Sequence, residues 1–243
     1  MSEVTICNLA LSHLGDTAEV TSIKPPDGSV QAQLCARFYW AARNALLEMA
    51  SWGFATQRVA LTAVANPTVN SWTDEDGSTQ TGTGSWRFAY AMPDETVNVL
   101  AVLPVDAIDD YEARFCSGEG ILDGNYWQRS QSNLGADKYV PHPFVCETAA
   151  DGSQIILTNV PDAVLRYTTV VEDTTKFSPL FTLALSYLLA SMLAGPLIKG
   201  DAGVAAAEQM LQLFGSFKNQ AIESDANQRK VRLEPVVSWI RGR

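Results

Sequence analysis

The sequence predicts an α+β protein in which helices from both ends of the chain form a bundle around a central, mostly antiparallel β insertion. Helical periodicity of the apolar residues before residue 53 and after residue 176 is one basis for this prediction. Between these parts lie short runs rich in valine, isoleucine, tyrosine and tryptophan, separated by turn residues. We therefore expect an N-terminal helical pair (1–53), a β-rich insertion (54–175), a second helical pair that completes the bundle (176–225) and an extended C-terminal arm (226–243).

The N-terminal part is predicted to hold two helices. Residues 2–14 have an apolar stripe, and Gly15 follows them as a C-cap. A turn containing Pro25, Pro26, Asp27 and Gly28 then leads into a longer helix at about 29–51. Its main apolar arc, which suits packing on the first helix, consists of Leu34, Cys35, Phe38, Ala41, Ala42, Ala45, Leu46 and Met49.

The second helix also carries apolar residues outside that arc. At 100° per residue, Trp40 and Leu47 fall on the opposite side, beside Arg43. One interpretation is that the chain folds back over this face. The other is an intersubunit contact centred on Trp40, because aromatic and arginine side chains are enriched in interface hot spots. Trp40, Arg43 and Leu47 are therefore candidate partner-binding residues.

The central part is predicted to form a mostly antiparallel sheet of four to six strands. The strand-like runs are residues 58–64, 85–90, 97–103, 154–157 and 164–171. Two polar stretches, 66–84 and 118–143, are expected to be loops.

A stretch of 22 residues from Phe177 to Ile198 has no charged side chain. Ser178 and Pro179 are a typical helix start, and Gly195 with Pro196 a typical stop, which leaves a helix at 180–195. Sixteen residues span roughly 24 Å, less than the roughly 30 Å of a membrane core. A buried central helix is therefore favoured over a membrane span. Small residues that would allow close helix packing recur at Thr182, Ser186, Ala190 and Ala194.

The C-terminal part begins with a half-apolar helix predicted at about 202–225, which suits a position between core and water. The basic arm that follows has no sustained helical pattern, and we expect it to need a partner to become ordered. Its candidate partner-binding residues are Arg232, Trp239, Arg241 and Arg243.

The chain has 27 acidic and 17 basic residues, a formal charge of −10. This balance argues against a protein whose entire surface binds nucleic acid. The start of the chain lacks the pattern of a signal peptide, so we expect it to stay in the cytoplasm where it is made. An acidic cluster, which serves either as a solvated surface or as the lining of a channel, comprises Asp106, Asp109, Asp110 and Glu112.

The sequence offers no pattern of a catalytic or cofactor site. It has two histidines, His13 and His142, without metal-ligand spacing. His13 is placed to end the first helix, where a cation would complement the helix dipole. No phosphate-binding glycine loop or nucleophile elbow is present. We expect a protein that is not an enzyme and that binds no cofactor or metal.

Four segments carry a family resemblance: residues 9–15, 27–52, 181–197 and 238–241. The first reads Leu-Ala-Leu-Ser-His-Leu-Gly, and the last reads Ser-Trp-Ile-Arg. In this order they resemble the tail tubular protein A or head-to-tail adaptor (connector) family of tailed bacteriophages. The β region shows no such resemblance.

The resemblance implies a ring, typically of twelve copies, in the neck of the virion. Such a ring binds the portal protein above and a tail or nozzle protein below, and double-stranded DNA passes through it during ejection. In the family, C-terminal arms reach the portal or a neighbouring subunit. The expected location is the virion, with assembly in the host cytoplasm and no membrane. Two alternatives stay open: a membrane-associated protein anchored by 177–198, and a virion-associated cell-wall hydrolase, which would need a pair of carboxylates.

Overall fold

The computed structural model describes residues 1–67, 69–73, 79–83, 86–105 and 142–228. These residues have the predicted α+β fold. They divide into a helical unit, made of Met1–Thr56 and residues 168–228, and a β unit within Gln57–Tyr167. The predicted C-terminal arm lies almost entirely outside the described residues.

Four helices form the helical unit: α1 (Glu3–His13), α2 (Val30–Glu48), α3 (Pro179–Ile198) and α4 (Gly200–Ala226). The first three begin at a serine whose hydroxyl accepts a hydrogen bond from a backbone N–H of the first turn. Those N-caps are Ser2, Ser29 and Ser178, the last of them as predicted. Local sequence therefore sets where these helices start.

All four helices contribute to one hydrophobic core. The predicted stripe of α1 is confirmed, because Ile6, Cys7, Ala10 and Leu11 are fully buried. Aromatic rings extend the core beyond α2, where Trp52 meets Phe181 edge to face with centroids 4.9 Å apart. The Trp52 indole also donates to the Leu46 carbonyl at 2.8 Å.

The predicted end of α3 is wrong. The helix continues past Gly195 and Pro196 to Ile198, and the N–H of Lys199 still donates to the Gly195 carbonyl at 3.1 Å. Proline removes only its own N–H from the ladder, so a proline in the last turn leaves the later bonds intact. The helix ends instead at Lys199, whose φ of 59° lies in the left-handed region.

Because α3 is longer than predicted, its length no longer argues against a membrane span. Within the described part of the chain, α3 is long and apolar enough to cross a bilayer by length and composition. However, 56% of its most apolar window is buried inside the protein. All four members of the predicted small-residue ladder are buried, namely Thr182, Ser186, Ala190 and Ala194. Burial, rather than length, therefore supports a core helix.

α4 packs closely on α3 at Gly203. A Cβ added there would lie 3.2 Å from the Ala194 carbonyl oxygen and 3.5 Å from the Gly195 Cα. The predicted apolar half of α4 is only partly buried, since Val204 is 59% exposed and Leu211 49% exposed. Met210 and Phe214, which belong to the same predicted half, are buried.

The β unit holds nine described strands in three sheets. They are β1 (Thr56–Ala60), β2 (Ala63–Val64), β3 (Val69–Thr73), β4 (Thr79–Thr83), β5 (Phe88–Ala91), β6 (Thr96–Leu103), β7 (Phe144–Thr148), β8 (Gln154–Thr158) and β9 (Val164–Thr169). The sheet orders are β1-β9-β6, β2-β5-β8-β7 and β3-β4. All recorded pairings in the last two sheets are antiparallel.

The expectation of one sheet is wrong, because the described strands form three. The strand positions also differ from those predicted in three details. The run at 58–64 is divided between β1 and β2, which belong to different sheets. The stretch at 66–84, expected to be a loop, holds the antiparallel strands β3 and β4, because its threonine, valine and tryptophan residues suit strands despite their polar neighbours. The strand β7, which pairs with β8 at residues 144–148, was not predicted.

Candidate functional site

Three of the candidate partner-binding residues lie on α2, within the helical unit. The other four, Arg232, Trp239, Arg241 and Arg243, lie outside the described residues. So does the acidic cluster of Asp106, Asp109, Asp110 and Glu112. The part of the candidate site that the structure describes is therefore the surroundings of Trp40, Arg43 and Leu47.

Leu47 does not lie on an outer face. It is fully buried in the core of the helical unit, so its assignment to a partner-binding surface is wrong. The cause is the orientation of α2, whose buried positions include Ala32, Cys35, Tyr39 and Leu46. This stripe is rotated from the predicted arc, since Ala41 and Met49 of that arc are exposed.

The turn before α2 is held in place by side-chain hydrogen bonds. Asp27 accepts from the Thr21 N–H at 2.8 Å and from the Ser29 hydroxyl at 2.7 Å. These bonds lower the pKa of Asp27. The Asn8 side chain on α1 both donates to and accepts from the backbone of Val20, at 3.0 and 2.8 Å. The segment between α1 and α2 is thereby fixed to both helices.

This segment places a lysine over Trp40. The Lys24 ammonium lies 3.5 Å from the Trp40 ring centroid, and the Arg43 guanidinium carbon lies 4.7 Å from it. Tyr39 meets the same indole edge to face at 5.1 Å. Cation–π contacts of this kind contribute about 0.5–2 kcal/mol each. The chain thus does fold back over this face, yet Trp40 is only partly buried.

Arg43 is a buried cation, with 3% of its surface exposed. Its Nε donates to the Asn44 Oδ1 at 3.0 Å. Its Nη1 lies 3.6 Å from the Glu172 Oε1, an ion pair whose carboxylate partner is 70% exposed. That separation is beyond a hydrogen bond. Among the described residues, Nη1 has no hydrogen-bond partner.

The Tyr39 hydroxyl is likewise buried without a hydrogen-bond partner in the described part of the chain. Burial raises the pKa of Tyr39, so the hydroxyl keeps its proton and can donate. Tyr39 and Arg43 are four residues apart on α2, which places them on one face of the helix. Leaving a buried donor unsatisfied costs about 1–3 kcal/mol, and more for a charged group.

His13 belongs to a separate aromatic stack. Its ring lies 4.0 Å from the ring of Tyr187, nearly parallel, and Tyr187 stacks on Phe217 at 5.0 Å. The His13 Nε2 is 3.0 Å from the Ser186 hydroxyl oxygen. Burial lowers the pKa of His13, so the neutral ring is favoured. A cation complementing the helix dipole is therefore the wrong description; His13 joins α1 to α3.

Comparisons with known proteins add no family assignment. A scan against protein-family models finds no match, and a search of curated proteins finds none. Within the described ranges, no group of three histidine, cysteine or acidic side chains is placed to hold a metal ion.

Tyr39, Lys24 and Glu172 belong to the site but were not predicted from sequence. For Tyr39 a signal existed, because it stands four residues before Arg43. Glu172 is distant from α2 in the chain, and no local pattern places it there. The site is therefore a cation-bearing aromatic cluster of Lys24, Tyr39, Trp40 and Arg43, with Glu172 beside it; we call it the Trp40 cluster.

Proposed function

We propose that this chain is a structural protein of a tailed bacteriophage, a head-to-tail adaptor related to tail tubular protein A. It forms a ring, of twelve copies by analogy with the family, in the neck of the virion. The ring binds the portal protein on one side and a tail or nozzle protein on the other, and DNA leaves the head through it.

The observation that supports this proposal best is the order of the elements. Helices from the two ends of the chain share one core, and the β unit is inserted between them. Three of the four segments that resemble the adaptor family belong to this helical unit. A fold with its helical core assembled from both ends is a suitable repeating unit for a closed ring, in which each copy contacts two neighbours.

A non-catalytic role is part of the proposal. His13, a residue type that often acts as a catalytic base, is engaged in the stack with Tyr187 and in the contact with Ser186. Those contacts support a structural role, joining α1 to α3. The protein would act by binding: to copies of itself, to the portal and to the next tail component.

The basic arm is the proposed connection to the portal or to an adjacent subunit, through Arg232, Trp239, Arg241 and Arg243. The acidic cluster at Asp106, Asp109, Asp110 and Glu112 would repel DNA if it lined the channel. Both assignments rest on sequence and on the family resemblance. The protein would be made in the host cytoplasm and end in the virion.

A ring can be tested by measuring particle mass. Mass photometry and electron microscopy of the purified protein, alone and with the products of the neighbouring genes, should show closed rings. Twelve copies of a 26.4 kDa chain have a mass of about 320 kDa. A protein that stays monomeric even with its portal protein would contradict the proposal.

Membrane association is a second candidate, because α3 passes the length and composition test for a membrane span. A protein anchored by residues 177–198 should partition into the detergent phase of a Triton X-114 separation. Recovery of folded protein in the aqueous phase would remove this candidate, and we expect that result because α3 is largely buried.

A further inference from the structure

Two cysteines meet inside the helical unit, one from each of its first two helices. Cys7 of α1 and Cys35 of α2 are both fully buried in its hydrophobic core. Both are free thiols, and the two side chains share a hydrogen bond. The proposed function makes no use of this contact, which brings two oxidisable groups together.

Contacts between α1 and α2 place these cysteines at one level of a helical hairpin. Near the connection between the helices, the Gln31 amide donates to the Asp16 carboxylate at 3.1 Å. At the other end of α1, Glu3 is close enough to Tyr39 for its charge to add to burial in raising the pKa of Tyr39. Residue numbers therefore fall along α1 as they rise along α2, which is the pattern of an antiparallel pair. The two cysteines lie between these contacts, so their approach follows from the packing of the whole helices.

The hydrogen bond makes the two thiols chemically unequal. The Cys7 thiol donates it to the Cys35 sulfur, which lowers the pKa of Cys35. The same bond, together with burial, raises the pKa of Cys7. Because the thiolate is the form that attacks an oxidant, Cys35 reacts first. Cys7 then stands beside the oxidised sulfur, where it can form a disulfide with it.

A peroxide is the oxidant that suits this site, because hydrogen peroxide is little larger than water and enters a core more readily than a bulky reagent. In the first step the Cys35 sulfur attacks a peroxide oxygen and the O–O bond breaks, which gives a sulfenic acid and one water. In the second step the Cys7 sulfur attacks the sulfenic sulfur, the S–O bond breaks, and the hydroxyl leaves with the Cys7 proton as a second water. The two thiols lose two hydrogens and two electrons, and the peroxide is reduced to water.

The lengths of the helices indicate how the oxidant reaches the pair. α1 has 11 residues, against 20 in α3 and 27 in α4. A helix as short as α1 is held by its packing rather than by its own stability. It therefore separates from the core more readily than the longer helices, and a brief separation exposes both thiols. A disulfide between them would oppose this opening.

We propose that Cys7 and Cys35 are a site of reversible oxidation, at which a peroxide forms a disulfide that joins α1 to α2. This inference goes beyond the proposed function and holds for a single chain, with or without a ring. Thiols are kept reduced in the cytosol, whereas disulfides persist in oxidising surroundings such as the surfaces of virions and cells. The helices are thus joined only by packing in a reducing compartment, and covalently outside it.

The test uses the full-length chain without its other two cysteines. Cys116→Ser and Cys146→Ser leave only the core pair, and Cys146 is an exposed thiol that would otherwise react first. The folded protein is treated with hydrogen peroxide, the excess is removed, and the protein is then denatured with a maleimide that labels free thiols. We expect two labels before treatment and none after it. Peptide mapping should find the segments around Cys7 and Cys35 joined by a disulfide.

Thermal unfolding tests the consequence for stability. The disulfide should raise the melting temperature by about 5–10 °C, because it closes residues 7–35 into a loop in the unfolded chain. A phosphine reductant should return the melting temperature to its starting value. Cys35→Ala in the same background is the matched control, since Cys7 alone cannot form the disulfide and no rise should occur. Methionine oxidation affects both proteins alike, so the difference between them reports the disulfide.

Two thiols that stay free in the treated, folded protein would overturn the inference and show that the cysteines are inert core residues. Oxidation to sulfinic acid without a disulfide would overturn it as well, and so would a disulfide that lowers the melting temperature. Thiol counting needs no substitution in the core, so it decides the outcome even if Cys35→Ala fails to fold. None of these results depends on ring formation, which particle mass tests separately.

Discussion

Leu47 shows how a single residue is misplaced by a helical wheel. The wheel orders residues around α2 but does not define which side meets the core, and the apolar residues of α2 extend around most of its circumference. Contacts with α1 and α3 orient the helix so that Leu47 is fully buried and Met49 is 49% exposed. The tertiary contacts, rather than the amphipathic pattern, therefore decide the assignment.

Leu47→Ala should destabilise the protein by about 2–5 kcal/mol, because it removes buried methyl groups and leaves a cavity. Met49→Ala, at an exposed position two residues later, should change stability by less than about 0.5 kcal/mol. Chemical denaturation of both variants checks the difference. A Leu47→Ala protein with the stability of the wild type would place this side chain outside the core.

His13 should make stability depend on pH. Because burial lowers its pKa in the folded protein, the unfolded chain binds a proton more readily. The stability that His13 contributes is therefore complete above the unfolded pKa of about 6.5 and decreases as the pH falls through that value. Carboxyls with a lowered pKa, such as those of Asp27 and Asp173, also stabilise the folded protein. That stabilisation is lost in a more acidic range.

The measurement is the melting temperature between about pH 7.5 and pH 5 for the wild type and for His13→Gln, a window that spans the ordinary histidine pKa. The wild type should lose more stability over this range than the variant. His142 is present in both proteins, so the difference reports His13. Equal pH dependence in the two proteins would show that His13 titrates as a solvent-exposed ring.

α3 and α4 show which features of a helix pair depend on local sequence and which depend on packing. Apolar content and a serine cap placed the start of α3 correctly, because both signals are local. Its end was misplaced, because Pro196 occupies the last turn, where the ladder tolerates the loss of one N–H. The close approach of α4 to α3 depends on which face Gly203 presents, and periodicity alone does not reveal that.

Two glycines of α4 give a matched test of this packing. Gly203→Ala should destabilise the protein by about 1–3 kcal/mol, because the new Cβ meets backbone atoms of α3 at 3.2 and 3.5 Å. Gly215→Ala should stabilise it by about 0.4–1 kcal/mol, since the described structure places nothing within 4 Å of its Cβ. Thermal unfolding compares the two. Equal effects would mean that the helices do not approach at Gly203.

For the molecule as a whole, the helical unit and the C-terminal arm should be separable. The last turn of α4 is tied to the segment that follows α2 within the helical unit, where the Gly53 N–H donates to both Asp225 carboxylate oxygens at 2.9 and 3.0 Å. This contact lies before the basic part of the arm. Folding of the helical unit therefore has an anchor that does not involve residues 232–243.

Deletion of residues 232–243 should leave the circular dichroism spectrum of the helices and the melting temperature nearly unchanged, but should abolish binding to the portal protein. Pull-down with the portal protein checks the second part. A Trp239→Ala variant of the full-length chain should show the same defect in weaker form, because aromatic anchors dominate many interfaces. Undiminished binding by the truncated protein would refute a docking role for the arm.

Composition, local caps and apolar periodicity were enough to assign the α+β class, the starts of three helices and the stripe of α1, since each depends on neighbours within a few residues. The strand order, the division of 58–64 between two sheets and the burial of Leu47 depend on contacts between distant segments. The candidate site divides in the same way. Trp40 and Arg43 were recognisable from their positions on α2, whereas the nearby Glu172 and the two unpaired donors emerge only when residues far apart in the chain pack together.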